Sequence, residues 1–259
     1  MHPASIVVFW RGHCLTWVGR VEEGLDALAM ANRMAEEDDT PEVNIYASQF
    51  AAEARYLIHD VDGALASARR SEETSRRLGD PAMHVGPAQL ALGYAHLVAG
   101  RLVDAVEAAR ESLRLYGLAD KASAGFPAAL LAEALLESGD LTDAQASAEH
   151  AIALCRQLLT GHHEARAHGV LARAILRSGG VAAREAVEAA LANAAQLIER
   201  TGAQILAPSL CEWRAELAAA LGDDASRIRL LIEARNHFER MGAPFQVQRL
   251  DKLLSASRS

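Results

Sequence analysis

The fold is decided by a short stretch, Gly139-Asp140-Leu141-Thr142-Asp143-Ala144, whose pattern returns along the whole chain. It reads as a glycine turn after one helix, followed by an acidic or small residue that opens a second helix. Equivalent turns fall at positions 19, 59, 100, 139, 179 and 222, and His59 once takes the place of glycine. A two-helix unit that recurs at a regular spacing indicates a repeat array.

Small residues recur where the two helices of each unit must pack closely. Gly93, Ala105 and Ser112 form one such set, and Leu92-Gly93 resembles the Leu-Gly pair of the tetratricopeptide repeat (TPR). The spacing of the turns is about 40 residues, which is longer than the 34 residues of the standard TPR. We therefore predict an all-α fold, an α–α superhelix of the TPR-like solenoid type built from long helices.

The array is predicted to fill residues 1–259 as one repeat domain. A last helix at 244–255 is apolar on one side only, which suits the covering of the open end of a solenoid. The six predicted hairpins occupy residues 4–36, 42–78, 82–116, 125–159, 162–201 and 205–241.

Composition and charge favour some partners over others. The net charge of −8 gives no electrostatic attraction to nucleic acid or to anionic lipid, and no apolar run approaches a membrane span. Cys14, Cys155 and Cys211 are scattered in apolar helical patterns, which is typical of free thiols in a reducing compartment. The N-terminal residues lack the pattern of a signal peptide, so a cytoplasmic protein is expected. Homo-oligomerisation is left open by the sequence.

Motifs that carry catalysis are not found in the sequence. There is no phosphate-binding loop, no G-x-S-x-G turn and no S-x-x-K motif. The segment His162-His163-Glu164-Ala165-Arg166-Ala167-His168 approaches the zinc motif H-E-x-x-H, but its last histidine is one residue late, so His163 and His168 point apart on a helix. We interpret this segment as a polar helix start, and predict no enzyme activity, no metal and no cofactor.

A more specific resemblance is carried by Thr201-Gly202-Ala203-Gln204 through Leu221-Gly222-Asp223, and by Met241-Gly242-Ala243-Pro244 with Arg249-Leu250. These stretches resemble the C-terminal repeat region of large bacterial signalling proteins, in which a nucleotidyl cyclase or other output domain is joined to an AAA/STAND-type ATPase and a TPR-like tail. The tails of MalT/LuxR-type regulators are similar. The resemblance covers about the last 60 residues and implies a sensor or scaffold segment of a bacterial regulator.

In TPR arrays the first helices of the hairpins line the inner surface, so the inward positions can be read from the repeat alignment. Several of the few aromatic residues fall there beside single charges, which is typical of a recognition groove. The predicted binding residues are His13, Trp17, Tyr46, Gln49, Glu53, Tyr56, Tyr94, Phe126, Glu133, Arg166, Arg173 and Arg177.

Two binding hypotheses follow from this inner surface, together with one structural interpretation. The first hypothesis is a protein or peptide partner held in the groove. The second is an anionic small molecule bound by a positive patch of Arg166, Arg173 and Arg177. The structural interpretation is that the aromatic residues form core between repeats.

Overall fold

Thirteen α-helices pack as consecutive antiparallel hairpins in a computed structural model that describes residues 3–79 and 81–256. The first helices of the hairpins are α1 (Pro3–Trp17), α3 (Pro41–Leu57), α5 (Gly86–Val98), α7 (Gly125–Ser138), α9 (Gly161–Gly179) and α11 (Ala207–Ala220). Their partners are α2 (Val21–Glu37), α4 (Val61–Leu78), α6 (Leu102–Ala119), α8 (Leu141–Gln157), α10 (Arg184–Thr201) and α12 (Asp224–Arg240), and α13 (Pro244–Ala256) follows the last hairpin. The predicted all-α superhelix is confirmed, and the described residues contain no strand.

Most predicted helix boundaries agree with the structure to within three residues. The main differences lie where a single turn of another helix type precedes the α-helix. A π-helical turn (Pro81–Val85) delays the start of α5, and a 3-10 turn (Gly180–Ala183) delays the start of α10. Residues 1, 2, 80 and 257–259 lie outside the described residues, so the extent of the predicted domain stays a prediction at those positions.

The predicted turns adopt the left-handed backbone conformation that ends a helix sharply. His59 has φ of 63° and Gly139 has φ of 86°. The fifth turn is displaced by one residue from its predicted place, because Gly180 rather than Gly179 has the positive φ, at 59°. Asp140 then caps α8 by accepting a 3.2 Å hydrogen bond from the backbone N–H of Asp143.

The small residues allow the two helices of a hairpin to approach closely, as predicted. A Cβ placed on Gly24 would lie 2.9 Å from the carbonyl oxygen of Gly12 in the facing helix. A Cβ on Gly93 would lie 2.7 Å from Cδ2 of Leu130 in the next hairpin. These positions therefore leave no room for a larger side chain, and they set the spacing of the helices.

The superhelix closes on itself, which the sequence did not predict. Trp17 and Ile58, from the turns of the first two hairpins, share one hydrophobic core with Met241 and Leu250 near the C-terminal end. The side-chain amide of Gln246 in α13 lies 3.5 Å from the backbone carbonyl of Leu57. The inner surface is consequently enclosed between the first and last hairpins, instead of opening as a wide groove.

Candidate functional site

The centre of the inner surface is filled by a buried ion-pair network, which we call the central cluster. It consists of Glu53, Tyr56, Tyr94, Glu133 and Arg166, all of them predicted binding residues from the first helices of four successive hairpins. Arg166 is 1% exposed, and its Nε donates a 2.6 Å hydrogen bond to Oε2 of Glu133. Nη1 of Arg166 donates to the Tyr94 hydroxyl at 3.1 Å and lies 3.4 Å from Oε1 of Glu53. The cluster thus links hairpins two to five.

The two tyrosines complete the cluster, and their rings lie next to each other beside the guanidinium, with centres 5.6 Å apart. The Arg166 guanidinium carbon lies 4.9 Å from the ring centres of Tyr56 and Tyr94, within the range of cation–π attraction. The hydroxyl of Tyr56 donates to Oε1 of Glu133 and that of Tyr94 to Oε1 of Glu53, each at 2.6 Å. Burial raises the pKa of both hydroxyls well above the usual value, and the neighbouring carboxylates raise it further. Both tyrosines therefore act as hydrogen-bond donors at neutral pH.

The charges of the central cluster do not cancel if both glutamates are ionised. Burial raises the pKa of Glu53, although the nearby Arg166 cation opposes that shift. Burial alone would lower the pKa of Arg166, but the Glu133 carboxylate leads the attractions that raise it well above its usual value. The cluster therefore contains one cation and two carboxylates, which are bridged by hydroxyl donors. Its polar atoms bond to each other and are not directed at a ligand site.

Beside the central cluster lies an aromatic–histidine cluster of His13, Trp17, Phe50, Phe126, His162 and His163. The ring centres of His13 and Phe50 are 3.9 Å apart, and those of Phe126 and His163 are 4.3 Å apart. Burial lowers the pKa of His13 to about 3 and that of His162 to about 4, and it lowers the pKa of His163 well below its usual value. These histidines are neutral near pH 7 and pack as aromatic rings.

Two openings flank these clusters, and the first is apolar. This N-terminal pocket has a volume of about 290 Å³, at the lower end of the range for small-ligand sites. Gln49, which is 1% exposed, accepts a 3.2 Å hydrogen bond from the Tyr116 hydroxyl, but its Nε2 has no hydrogen-bond partner among the described residues. The pocket is lined by Ile6, Phe9, Trp10, Val43, Tyr46, Gln49, Phe50, Tyr116, Asp120, Ser123 and Phe126.

The second opening, on the other side of the central cluster, is polar and its charges are paired. Arg173 Nε donates to both carboxylate oxygens of Glu216 at 3.0 and 3.1 Å, and its NH1 donates to Glu137 at 2.7 Å. Arg177 donates to the backbone carbonyl of Leu136 at 3.2 Å. With Arg166 held by Glu133 and Glu53, the predicted positive patch of three arginines is not free. Sequence alone did not pair Arg166 and Arg173 with carboxylates from other hairpins, and an anionic ligand at these arginines stays a prediction.

The structure brings the twelve predicted residues together on the inner side, but as four groups. His13, Trp17 and Phe126 belong to the aromatic–histidine cluster, and Tyr46, Gln49 and Phe126 line the N-terminal pocket. Arg173 lines the polar opening, and Arg177 follows it by one turn on α9. The remaining five form the central cluster, and of the twelve only Arg177 is exposed.

Several residues of these groups were not among the predicted binding residues, and four of them are aromatic or histidine side chains at their centre. Phe50 and Tyr116 line the pocket, and His162 and His163 belong to the aromatic–histidine cluster. The interpretation of the His162–His168 segment as a polar helix start was wrong in its environment, because His163 is fully buried there. The sequence contained a signal for this burial, because the polar helix start falls where the repeat alignment places inward positions.

One group of potential metal ligands occurs among the described residues, apart from the inner surface. Atoms of Cys211, Glu233 and His237 lie within 4.8 Å of one another. Burial raises the pKa of the Cys211 thiol to about 11, and Arg240 lies 3.1 Å from Nδ1 of His237. Both features disfavour a cation, and the absence of a metal site stays a prediction.

The architecture is that of a TPR-like helical-repeat protein. No protein-family model matches the chain, and no curated protein sequence matches it. Among solved structures, the chain is similar to the apo form of RapI, with 9% identity, 98% of this chain and 97% of that chain covered, and a TM-score of 0.58. It is also similar to a variant of a Podosopora anserina kinesin light chain with nearly identical TPR-like repeats, with 16% identity, 78% and 98% coverage, and a TM-score of 0.47. The likeness to RapI extends along nearly the whole chain and concerns the fold.

Membrane insertion finds no support in the helices. Across residues 3–79 and 81–256, none of them combines the length and the apolar character needed to span a bilayer.

Proposed function

We propose that this protein binds a peptide or protein partner in the N-terminal pocket and acts as a scaffold or sensor module of a bacterial regulatory protein, without catalysis of its own. The observation that carries the proposal is the buried Nε2 of Gln49, which lacks a hydrogen-bond partner at an otherwise apolar pocket. An unsatisfied buried donor costs about 1–3 kcal/mol, and a ligand acceptor would recover part of that cost.

The chemistry of the pocket favours one apolar side chain of a peptide, together with a backbone carbonyl beside it. Phe9, Phe50 and Phe126 supply aromatic walls, and Gln49 supplies the donor for the carbonyl oxygen. The indole of Trp10 lies at the rim and is 51% exposed, so it is available to cover a bound side chain. Aromatic anchors around a small number of placed polar groups are typical of recognition sites.

The alternative hypothesis, an anionic ligand at Arg166, Arg173 and Arg177, is less favoured by this geometry. Such a ligand would have to displace Glu133, Glu137 or Glu216 from arginines that they already bind at 2.6–3.1 Å. The regulatory context rests on the resemblance of the last 60 or so residues, and a cytoplasmic location rests on the three free cysteines.

The test is selection of binding peptides from a phage-displayed random library, followed by affinity measurement with synthetic versions of the selected peptides. The informative variant is Gln49→Met combined with Tyr116→Phe, which removes the donor without leaving the Tyr116 hydroxyl unpaired. Exposed Gln157→Met is the matched control for the amide replacement. We expect selected peptides to share an apolar residue and to lose roughly tenfold in affinity with the double variant, and not with the control. Failure to enrich any peptide would contradict the proposal. So would equal affinity of the selected peptides for the double variant and for the Gln157→Met control.

A further inference from the structure

A second concave surface lies on the outer side of the superhelix, between α2 and α4. We call it the arginine groove. Its volume is about 920 Å³, and its lining on α4 spans residues 66–77, which is a length of about 17 Å. The groove is lined by Ala29, Asn32, Arg33, Glu36, Ser48, Ala51, Arg55, Ala66, Ser67, Arg69, Arg70, Glu73, Thr74, Arg76 and Arg77.

The charge of this groove is opposite to that of the rest of the molecule. Its six arginines and two glutamates give a net charge of +4. Because the whole chain carries −8, the remainder carries −12. Four arginines of α4, Arg69, Arg70, Arg76 and Arg77, therefore concentrate positive charge in one depression of an acidic protein.

Several of these arginines have no carboxylate partner among the described residues. Arg70 pairs with Glu36, Arg76 pairs with Glu72 at 2.9 Å, and Arg55 pairs with Asp60 at 3.5 Å. By contrast, Arg33 and Arg69 are exposed and have no hydrogen bond or ion pair in the part of the chain that the structure describes. Arg77 bonds only to the Thr74 hydroxyl, at 3.4 Å.

The floor of the groove is made of small side chains. Ala29 of α2 and Ala66 of α4 line the two walls, and buried Ser48 and Ala51 of α3 line the groove between them. Side chains of this size let an extended backbone lie close to the helices, while guanidinium groups above it reach the carboxylates of the bound segment in bidentate geometry. Side-chain oxygens of Asn32, Ser48 and Ser67 add hydrogen-bonding groups along the floor.

We propose that the arginine groove binds an acidic peptide segment of a partner protein. A length of roughly five extended residues matches the groove, at about 3.3 Å per residue. A nucleic acid fits less well, because its strand would continue onto a surface with a net charge of −12 and the groove has no aromatic residue on which a base could stack. This site is separate from the N-terminal pocket, so its occupancy and that of the pocket can be tested independently.

The experiment measures fluorescence anisotropy of a labelled octaglutamate peptide with the full chain. The groove variant combines Arg33→Glu, Arg69→Glu and Arg77→Glu. The control combines Arg101→Glu, Arg110→Glu and Arg214→Glu, which are exposed, lie outside the groove and change the net charge equally. Unlabelled inorganic phosphate and single-stranded oligothymidine of similar length serve as competitors.

The proposal expects the groove variant to lose roughly tenfold or more in affinity and the control less than about threefold, with binding that weakens as salt is added. Equal loss in both variants would show that net charge alone attracts the peptide, and would overturn the proposal. Stronger competition by phosphate or by oligothymidine than by unlabelled octaglutamate would overturn it in favour of a phosphate or nucleic-acid ligand. Unchanged thermal unfolding of both variants is expected, since all six side chains are exposed.

Discussion

Arg166 of the fifth hairpin donates a 2.6 Å hydrogen bond to Glu133 of the fourth, and both side chains are buried. Arg166→Met would leave Glu133 and Glu53 without their cation in a low-dielectric interior. We expect a loss of about 3–5 kcal/mol in the free energy of unfolding, measured by urea denaturation with circular dichroism. Removing an exposed pair with Arg184→Met should cost less than about 1 kcal/mol.

Changing the acids as well gives the matched control for this first prediction. The triple variant Arg166→Met, Glu53→Gln and Glu133→Gln removes the uncompensated charges, so it should recover a large part of the lost stability. A loss below about 1 kcal/mol for Arg166→Met alone would mean that water reaches the cluster.

The hairpins were predictable from sequence because their determinants are local. A turn such as Gly139-Asp140 and the helical periodicity beside it lie within a few residues of each other. The pairing of Arg166 with Glu133 was not predictable, because the two residues are 33 positions apart in the sequence. It depends on how their helices, α7 and α9, face each other. Both residues were named as inward-facing, but as separate parts of a binding surface. The sequence therefore predicted which residues face inward, but it did not predict which carboxylate pairs with which arginine.

Closure of the superhelix was unpredictable for a related reason. The core that Trp17 and Ile58 share with Met241 and Leu250 results from small rotations between neighbouring repeats that accumulate over six hairpins. No single stretch of sequence encodes that sum. Tyr116 was missed because it lies at the end of a second helix, where the inward rule for first helices does not apply.

The buried histidines predict a loss of stability in acid. Their folded-state pKa values, about 3 for His13 and about 4 for His162, lie below the unfolded value of about 6.5, so the unfolded chain binds more protons between these limits. Their contribution is therefore present above pH 6.5 and is lost as the pH falls towards 4, by up to about 1.4 kcal/mol per pH unit for each histidine. The raised pKa of Glu53 acts in the opposite sense and reduces the total.

Denaturation midpoints at several pH values check this second prediction. His163→Phe removes one titrating ring whose nitrogens have no hydrogen-bond partner among the described residues, so it should reduce the pH slope without loss of stability at pH 7. The control His150→Gln replaces an exposed histidine outside the cluster, and it tests whether a change of slope is specific to the buried rings. An unchanged slope in His163→Phe would indicate that this ring is protonated in the fold.

The close approach of neighbouring hairpins at Gly93 predicts that bulk is not tolerated there. In Gly93→Leu the new Cβ would lie 2.7 Å from Cδ2 of Leu130, and the rest of the side chain would have to enter the packed core. We expect a cost of more than about 2 kcal/mol, measured by chemical denaturation. In the control Gly117→Leu, the Cβ has no neighbour within 4 Å, so a small gain from helix propensity is expected. A cost below about 0.5 kcal/mol for Gly93→Leu would contradict the assigned packing of the small-residue column.

The three free thiols differ in environment, and this predicts their order of reaction with a thiol reagent. Cys14 is exposed, whereas burial raises the pKa of Cys155 and Cys211 to about 11. Because the thiolate is the reactive form, the folded protein at pH 8 should show one fast-reacting thiol with Ellman's reagent and two that react only on opening or unfolding. Cys14→Ser should abolish the fast phase, while Cys155→Ser should leave it unchanged and reduce the total number of thiols that react in denaturant from three to two. A second fast thiol in the native protein would mean that α8 or α11 opens locally, and that the array is less tightly packed at that hairpin than its buried helices indicate.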